Sequence, residues 1–179
     1  MDNVMLDLET MGKASGCAII SIGAVAFDLE EQKLGSEFYV NVDLQSCMDA
    51  GLTVDASTVM WWLSQSDGAR SALADSPIHL VEALSRFDKF ISLATFGAGS
   101  VRLWGNGAAF DNVILSAAYS ATGRTPPWMF WNDMCYRTMK SSFIGSDAER
   151  SEGVQHHALD DAKWQAINLL SIHKKGYTI

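Results

Sequence analysis

The sequence has few cysteines and prolines, and it has less positive than negative charge. Among 179 residues there are three cysteines and three prolines. Three cysteines without a C-x-x-C pair predict neither a disulfide framework nor a zinc site. Lys and Arg number 13 against 21 Asp and Glu, for a formal net charge of −8. That sign is wrong for a protein that grips long nucleic acid by neutralising its phosphates.

The sequence also lacks a long hydrophobic run. Its longest apolar stretch, 18–27, is interrupted by Ser21 and Gly23 and is too short to cross a bilayer. Nothing in it resembles a signal peptide, so we expect a cytoplasmic protein with no membrane association. Because the chain has no linker, repeat or low-complexity tract, its length predicts a single domain over 1–179.

The hydrophobic pattern predicts an α/β fold with a mixed central β-sheet flanked by helices, because three strands come first and a fourth is separated from them by helices. The predicted strands lie near 3–9, 18–28, 34–42 and 101–105. The predicted helices lie near 55–65, 77–93, 110–122, 132–143 and 158–173.

Asp7 and Glu9 lie in the stretch VMLDLET, which has no Gly or Pro and predicts a short strand. Because successive strand side chains point to opposite faces, the two acids project together, and Leu6 and Leu8 project to the other face. Two partly buried carboxylates repel each other, so one takes up a proton or a cation neutralises them. Hard oxygen ligands favour Mg²⁺ or Mn²⁺. The alternative is an edge strand whose solvated face carries both acids.

Asp111 follows a Gly-rich turn in the stretch LWGNGAAFDNVIL. The residues before the turn predict a strand and those after it a helix, so Asp111 lies at or just inside a helix N-terminus. Asp is favoured there as an N-cap and by the helix dipole, which explains the residue without any chemistry. Metal ligation is the alternative.

The stretch HHALDDA begins the last predicted helix with two histidines and two aspartates. Asp160 and Asp161 lie on opposite flanks of the apolar stripe, each about 130° from its centre on a wheel of about 100° per residue. Spacing therefore does not choose between them. His157 shares a helix face with Asp161, whereas His156 reaches it only from a loop that folds back. A solvated pair of histidines near a helix start is the alternative to a functional role.

The order of the three motifs, D-x-E-T, then an aromatic residue followed by Asp, then H-x-A-x-x-D-A, resembles the DEDDh group of DnaQ-like 3′-to-5′ exonucleases. The stretches TVMWWLSQSDGAR and RTPPWMFWNDMCYRTMK resemble phage and prophage exonucleases of the exodeoxyribonuclease VIII-like type. The resemblance implies an RNase H-like fold. It also implies a catalytic site of four metal-binding acids and one histidine, namely Asp7, Glu9, Asp111, Asp161 and His156.

Two-metal hydrolysis of a terminal phosphodiester bond is the chemistry that the resemblance implies, with Mg²⁺ or Mn²⁺ as cofactors and nucleoside 5′-monophosphates as products. His156 would be the general base, since a histidine titrates near neutral pH. We expect the 3′ ends of single-stranded DNA as substrate. RNA is the alternative, because nothing in the sequence identifies a group that reads a 2′-hydroxyl. A non-catalytic nucleic-acid-binding module is a third hypothesis, which the complete set of four acids disfavours.

Four residues are predicted to contact the substrate. Thr10 and Met11 directly follow the first acid pair, so the resemblance implies that they touch the terminal nucleotide. Trp61 lies beside Trp62 in a predicted helix, where an aromatic face can stack on a base; packing is the alternative. Asn106 can hydrogen-bond a sugar or phosphate, or serve only the turn.

Two further segments predict interactions. Phe130 and Trp131 follow a Pro-Pro-Trp loop. We expect them to form a partner surface, such as the interface of a homodimer, or to be buried under the protein's own helices. The polar segment 146–155 predicts a loop that moves His156 into place when substrate binds.

Overall fold

Five strands form the centre of the protein, whose computed structural model describes residues 1–97, 99–143 and 156–175. The strands are β1 (Asn3–Thr10), β2 (Ile19–Asp28), β3 (Lys33–Asn41), β4 (Arg102–Gly105) and β5 (Asp133–Cys135). They make one sheet in the order β3-β2-β1-β4-β5. β2 pairs antiparallel with β1 and β3, whereas β4 pairs parallel with β1 and β5. The prediction of a mixed sheet is confirmed.

Helices cover both faces of this sheet. They are α1 (Leu44–Asp49), α2 (Ala56–Leu63), α3 (Asp67–Leu73), α4 (Leu80–Ala94), α5 (Asp111–Ala121), α6 (Tyr136–Ser142) and α7 (Ala158–Lys174), with a 3₁₀ helix at Phe130–Asn132. The pattern did not predict α1 and α3, which are short. Each begins at a side-chain cap, Asp43 accepting the Ser46 N–H and Ser66 accepting the Ala69 N–H.

The predicted helix at 132–143 is wrong at its start, because Asp133–Cys135 pairs with β4 as a strand and the helix begins only at Tyr136. Pairing with a neighbouring strand overrides local helical preference here. The predicted loop at 146–155 lies outside the described residues.

Alternate side chains of β1 pack into two different cores. Val4, Leu6 and Leu8 belong to a core that includes residues of α4 and α5. Met5 belongs to a second core that includes residues of α6 and α7. Since strand side chains alternate with a period of two, Asp7 continues the row of Met5 and lies on the α7 side of the sheet.

A glycine in β2 allows α7 to approach the sheet closely. Gly23 pairs with Asp7 of β1. A Cβ atom built at Gly23 would lie 2.2 Å from the backbone of Ala158 and Leu159, which form the first turn of α7. The absence of a side chain therefore brings the N-terminus of α7 against the sheet beside Asp7.

Phe130 and Trp131 are 77% and 65% exposed. The alternative that they are buried under the protein's own helices is therefore wrong, and a role as a partner surface stays a prediction. Within the described ranges, no helix combines the length and the apolar character needed to cross a membrane.

We expect Gly23→Ala to lower the free energy of unfolding by about 1–3 kcal/mol, because the new methyl group meets backbone atoms that cannot rotate away. Urea denaturation measures the change. Gly68→Ala is the matched control. A Cβ at Gly68, within α3, meets nothing within 4 Å, so this change should be neutral or stabilising by up to about 1 kcal/mol. Equal midpoints for the two variants would contradict the close approach of α7.

Candidate functional site

The predicted acids and histidine meet in one cavity of about 650 Å³ at the C-terminal end of β1. Its lining includes Asp7, Glu9, Asp111, His156 and Asp161. These side chains come from β1, from the start of α5, and from the first turn of α7 together with the residues just before it. We refer to this space as the acid cavity.

Asp7 and Glu9 both line the acid cavity, as the strand alternation predicts. Asp7 Oδ1 accepts a 2.7 Å hydrogen bond from Nε2 of Gln165 in α7. Glu9 is buried, and its Oε1 has no hydrogen-bond partner among the described residues. Gln165 had no sequence-based role, although it lies four residues after Asp161 and so shares its helix face.

Asp111 is the first residue of α5 and is not its N-cap, since Phe110 holds that position without a side-chain cap hydrogen bond. Asp111 is buried, and its Oδ1 accepts the Leu8 N–H at 3.3 Å. The pairing of β4 with β1 ends at Gly105. The Leu8 N–H lies beyond that end and donates to the Asp111 carboxylate instead. Asp111 is therefore not an N-cap, although its place in the first turn of α5 agrees with the favourable field of the helix dipole.

Asp161 and His156 approach Glu9 from the start of α7. One ligand atom from each of the three residues lies within 4.8 Å of the others. The His156 N–H donates to Asp161 Oδ2 at 3.1 Å. His156 has a φ of 64°, in the left-handed region that few residues other than glycine adopt. This turn is the fold-back that His156 requires to reach the face of Asp161.

His157 and Asp160 have structural contacts instead. The His157 ring stacks on Tyr39 with centroids 4.3 Å apart. Its Nδ1 caps α7 by accepting the Asp160 N–H at 3.4 Å. The Asp160 carboxylate lies 3.6 Å from the same nitrogen. The tertiary structure thus distinguishes His156 from His157 and Asp161 from Asp160, which spacing alone could not do.

Burial and mutual repulsion raise the pKa values of the carboxylates. The pKa of Asp7 is raised well above its usual value by burial first, then by Asp111, Glu9 and Asp161, while the hydrogen bond from Gln165 lowers it. Burial, then Asp161 and Asp111, raise the pKa of Glu9 to about 8. Burial raises the pKa of Asp111 to about 7, against lowering effects that include the Leu8 N–H and the positive charge of Arg137.

A second pocket, of about 210 Å³, adjoins the acid cavity and shares Leu8, Glu9 and Phe110 with it. Its lining also includes Thr10, Lys13, Thr58, Trp61 and Trp62, and we refer to it as the tryptophan pocket. Trp62 is buried and donates from Nε1 to the Thr10 carbonyl at 3.0 Å. Trp61 is 42% exposed, and its ring centroid lies 5.0 Å from that of His156.

The other two residues that are predicted to contact the substrate, Asn106 and Met11, lie in different places. Asn106 lines the acid cavity, and its carbonyl accepts a 2.8 Å hydrogen bond from Arg137 Nη2. Met11 lies outside the lining of both pockets and packs against the core that contains Trp62. Lys13, Thr58 and Arg137 had no sequence-based role, because no motif or helix periodicity connects them to the acids.

The donor set suits hard divalent cations. Carboxylate oxygens are the ligands that Mg²⁺ and Mn²⁺ prefer. The Oε1 atom of buried Glu9 has no hydrogen-bond partner among the described residues and is available as a ligand. The repulsion that raises the pKa values of Asp7 and Glu9 is relieved when a cation binds among the oxygens. The residues present therefore fit divalent metal ions.

Solved exonuclease structures have the same fold. The nuclease domain of 3'hExo, a DEDDh family member bound to rAMP, has a TM-score of 0.64 at 14% identity and covers 97% of this chain and 92% of that chain. Exonuclease X in complex with 5' overhanging duplex DNA has a TM-score of 0.59 at 17% identity and covers 98% and 94%. The predicted RNase H-like fold of the DEDDh exonucleases is confirmed.

Sequence comparison gives the family. The chain is 26% identical over 160 residues to an exodeoxyribonuclease of Enterobacteria phage T4, covering 77% of this chain and 70% of that protein. A family model described as the 3'-5' exoribonuclease Rv2179c-like domain matches residues 2–172. The chain belongs to this family, and it is an enzyme, a 3′-to-5′ exonuclease of the DEDDh type. Enzymes of this type use divalent metal ions.

Without metal, the acid cavity should make the protein less stable as pH rises from 5 to 8. In the unfolded chain an Asp or Glu carboxyl releases its proton at about pH 4, whereas in the folded chain burial and repulsion raise the pKa of Asp7 and raise that of Glu9 to about 8. The folded state then binds more protons, so stability falls with pH. We expect Asp7→Asn in chelator at pH 8 to melt above wild type by about 2–4 °C, the shift for roughly 1 kcal/mol.

Thermal melts at pH 5 and pH 8 test this expectation, and the gain should shrink at pH 5. Asp67→Asn is the control, because the Asp67 side chain is 93% exposed and its ion pair with Arg70 lies at the surface, where such a pair contributes little to stability. Mn²⁺ or Mg²⁺ should raise the melting temperature of wild type more than that of Asp7→Asn. A variant less stable than wild type in chelator at pH 8 would contradict the repulsion.

Proposed function

We propose that this exonuclease removes nucleoside 5′-monophosphates one at a time from the 3′ ends of single-stranded DNA, with two divalent metal ions and a histidine base. The main observation is the convergence of four carboxylates and His156 in one cavity. A binding module gains nothing from buried carboxylates that raise one another's pKa values. The similarity to an exodeoxyribonuclease of phage T4 supports DNA as the substrate.

Asp7, Glu9, Asp111 and Asp161 would hold two ions, Mg²⁺ or Mn²⁺. Bound there, the ions would lower the pKa of the attacking water and stabilise the leaving oxygen. Hydrogen bonds orient two of these ligands, from Gln165 to Asp7 and from the Leu8 N–H to Asp111. Because those oxygens are held by the protein, the ligands are preorganised before substrate arrives.

His156 would remove the proton from the attacking water through an imidazole nitrogen. The water oxygen forms a bond to the terminal phosphorus, and the bond from that phosphorus to the upstream O3′ breaks. The products are a nucleoside 5′-monophosphate and a strand shortened by one nucleotide, whose new 3′ oxygen takes a proton. The rings of Trp61 and Trp62 stand nearly perpendicular to the His156 ring, with centroids 5.0 and 6.3 Å away, and this packing limits the movement of His156.

The tryptophan pocket would receive the terminal nucleoside. It adjoins the acid cavity at Glu9 and Phe110, so a nucleoside in it has its 5′ phosphate beside the acids. Trp61 offers a partly exposed aromatic face for stacking. Thr10 is buried in the same pocket.

RNA is the second candidate substrate, and one side chain favours it in addition to the family description. Thr58 is buried in the tryptophan pocket, and its Oγ1 has no hydrogen-bond partner among the described residues. A buried hydroxyl without a partner is costly. A ribose 2′-hydroxyl both donates and accepts, so it can satisfy this group where deoxyribose cannot.

A time course with 5′-end-labelled DNA and RNA of matched sequence tests the proposed function. We expect a ladder of products shortened from the 3′ end, formed with Mg²⁺ or Mn²⁺ and abolished by chelator. DNA cleaved faster than RNA supports the first candidate, and the reverse supports the second. Protein that cleaves neither substrate with metal, or that releases nucleotides from the 5′ end, would overturn the proposal.

Thr58→Val and Thr58→Ser extend the same assay. If Thr58 reads a 2′-hydroxyl, the valine variant loses about tenfold in rate on RNA, roughly 1.4 kcal/mol, and little on DNA. The serine variant keeps the hydroxyl and should retain activity on RNA. Equal effects of Thr58→Val on both substrates would assign Thr58 a packing role.

The adjacent histidines provide a matched pair of variants. We expect His156→Ala to lower the rate constant of hydrolysis at least ten times more than His157→Ala, because general-base catalysis contributes about 10²–10⁴-fold. His157→Ala should instead lower the melting temperature, since it removes the cap of α7 and the stack on Tyr39. Single-turnover rates and thermal melts measure both effects. The reverse ranking of the rates would contradict His156 as the base.

A further inference from the structure

Arg137 brings a permanent positive charge to the acid cavity. It is the second residue of α6, which begins directly after β5, and it is exposed at the cavity wall. Among the described side chains that line this cavity, Arg137 is the one that is always cationic. Its Nη2 donates to the Asn106 carbonyl, so it lies beside the turn that precedes Asp111.

The guanidinium of Arg137 retains most of its hydrogen-bonding capacity. It has five N–H donors, and its hydrogen bond among the described residues goes from Nη2 to the Asn106 carbonyl. None of the described carboxylates forms an ion pair with it, whereas Arg86 and Arg124 are each paired with an acid. This capacity suits a phosphate, which arginine binds with two parallel hydrogen bonds.

Gly107 lies beside the guanidinium. A Cβ atom there would lie in ordinary van der Waals contact, 3.6 Å from Arg137 Cζ, so it is the Gly107 φ of 116° that favours glycine. The hydrogen bond to the Asn106 carbonyl uses Nη2, and the arginine stays exposed at the cavity wall.

The positions of the two pockets give the path of the strand. The tryptophan pocket adjoins the acid cavity through Leu8, Glu9 and Phe110, and Arg137 lines the acid cavity but not the tryptophan pocket. With the terminal nucleoside in the tryptophan pocket, the scissile phosphate lies among the acids. The strand then continues in its 5′ direction towards Arg137.

We infer that Arg137 binds the phosphate one nucleotide upstream of the scissile bond. This inference rests on the proposed function and adds to it a contact that positions the substrate. This contact explains how a chain of net charge −8 holds a polyanion. Arg137, which has no ion pair among the described residues, lies where the strand leaves the metal site. It also gives the enzyme a preference for substrates with at least two phosphates.

Two substrates that differ by one phosphate test the inference. They are the thymidine dinucleotide TpT, which has only the scissile phosphate, and its 5′-phosphorylated form pTpT, which adds the upstream phosphate. We expect wild type to hydrolyse pTpT with a kcat/KM at least tenfold higher than TpT, chiefly through KM. Arg137→Ala should remove that preference by weakening pTpT alone, and Arg137→Lys should retain part of it, because lysine keeps the charge but loses bidentate geometry.

Arg86→Ala is the matched control, since Arg86 lies on the surface of α4 in an ion pair with Glu82 and should behave as wild type. On single-stranded DNA, Arg137→Ala should also make the slope of log(kcat/KM) against log[salt] shallower by about 0.7, the value for one phosphate contact on a single strand.

The outcomes separate this inference from the proposed function. An unchanged pTpT preference in Arg137→Ala overturns the inference, and so does an equal loss on both dinucleotides, which would assign Arg137 to the scissile phosphate or to support of Asp111. Either result leaves the exonuclease proposal intact if wild type is active. Wild-type protein that cleaves neither dinucleotide nor oligonucleotides with metal refutes both.

Discussion

Repulsion among four carboxylates in one buried cavity is the constraint on which the rest of the structure depends. Burial raises the pKa values of Asp7, Glu9 and Asp111, and the acids raise them further for Asp7 and Glu9. A site of this kind opposes folding when it is empty. Its cost has to be offset elsewhere, and the two cores on opposite faces of the sheet supply that stability.

β1 contributes both to the hydrophobic core and to the acid cavity, because its side chains alternate between the two faces of the sheet. Val4, Leu6 and Leu8 pack in the core that includes residues of α4 and α5, and on the other face apolar Met5 is followed by Asp7 and Glu9. The same strand therefore belongs to the hydrophobic core along one face and to the functional site along the other. Gly23, opposite Asp7 in β2, lets α7 close over that second face.

The hydrogen bonds around the acids come from groups that ordinary secondary structure leaves free. The Leu8 N–H lies beyond the end of β4 and donates to Asp111. The backbone of His156, in the left-handed conformation, donates to Asp161. Oxygens held in this way need little reorganisation when a cation or a substrate phosphate arrives.

The hydrophobic pattern predicted the mixed sheet, and strand alternation placed Asp7 and Glu9 on one face, because both are local properties of the chain. The full set of residues that converge was predicted by the resemblance to a family. The local properties could not predict β5, since three residues become a strand only when β4 lies beside them. Nor could spacing choose between His156 and His157, or between Asp160 and Asp161, although resemblance to a family did. The contacts of His157 with Tyr39 and Asp160 supply the physical reason for that choice.

By itself, the sequence determined the class of chemistry, because its ordered motifs resemble those of metal-dependent 3′-to-5′ exonucleases. Only the tertiary structure decided the surroundings of those residues: Gln165 on Asp7, Thr58 in the tryptophan pocket and Arg137 at the mouth of the acid cavity. Thr58 and Arg137 lie on helices that carry none of the acids, and Gln165, on the same helix as Asp161, reaches Asp7 only because α7 packs beside β1. Their distances from the site are set by the packing of helices on a twisted sheet, which depends on the whole chain at once.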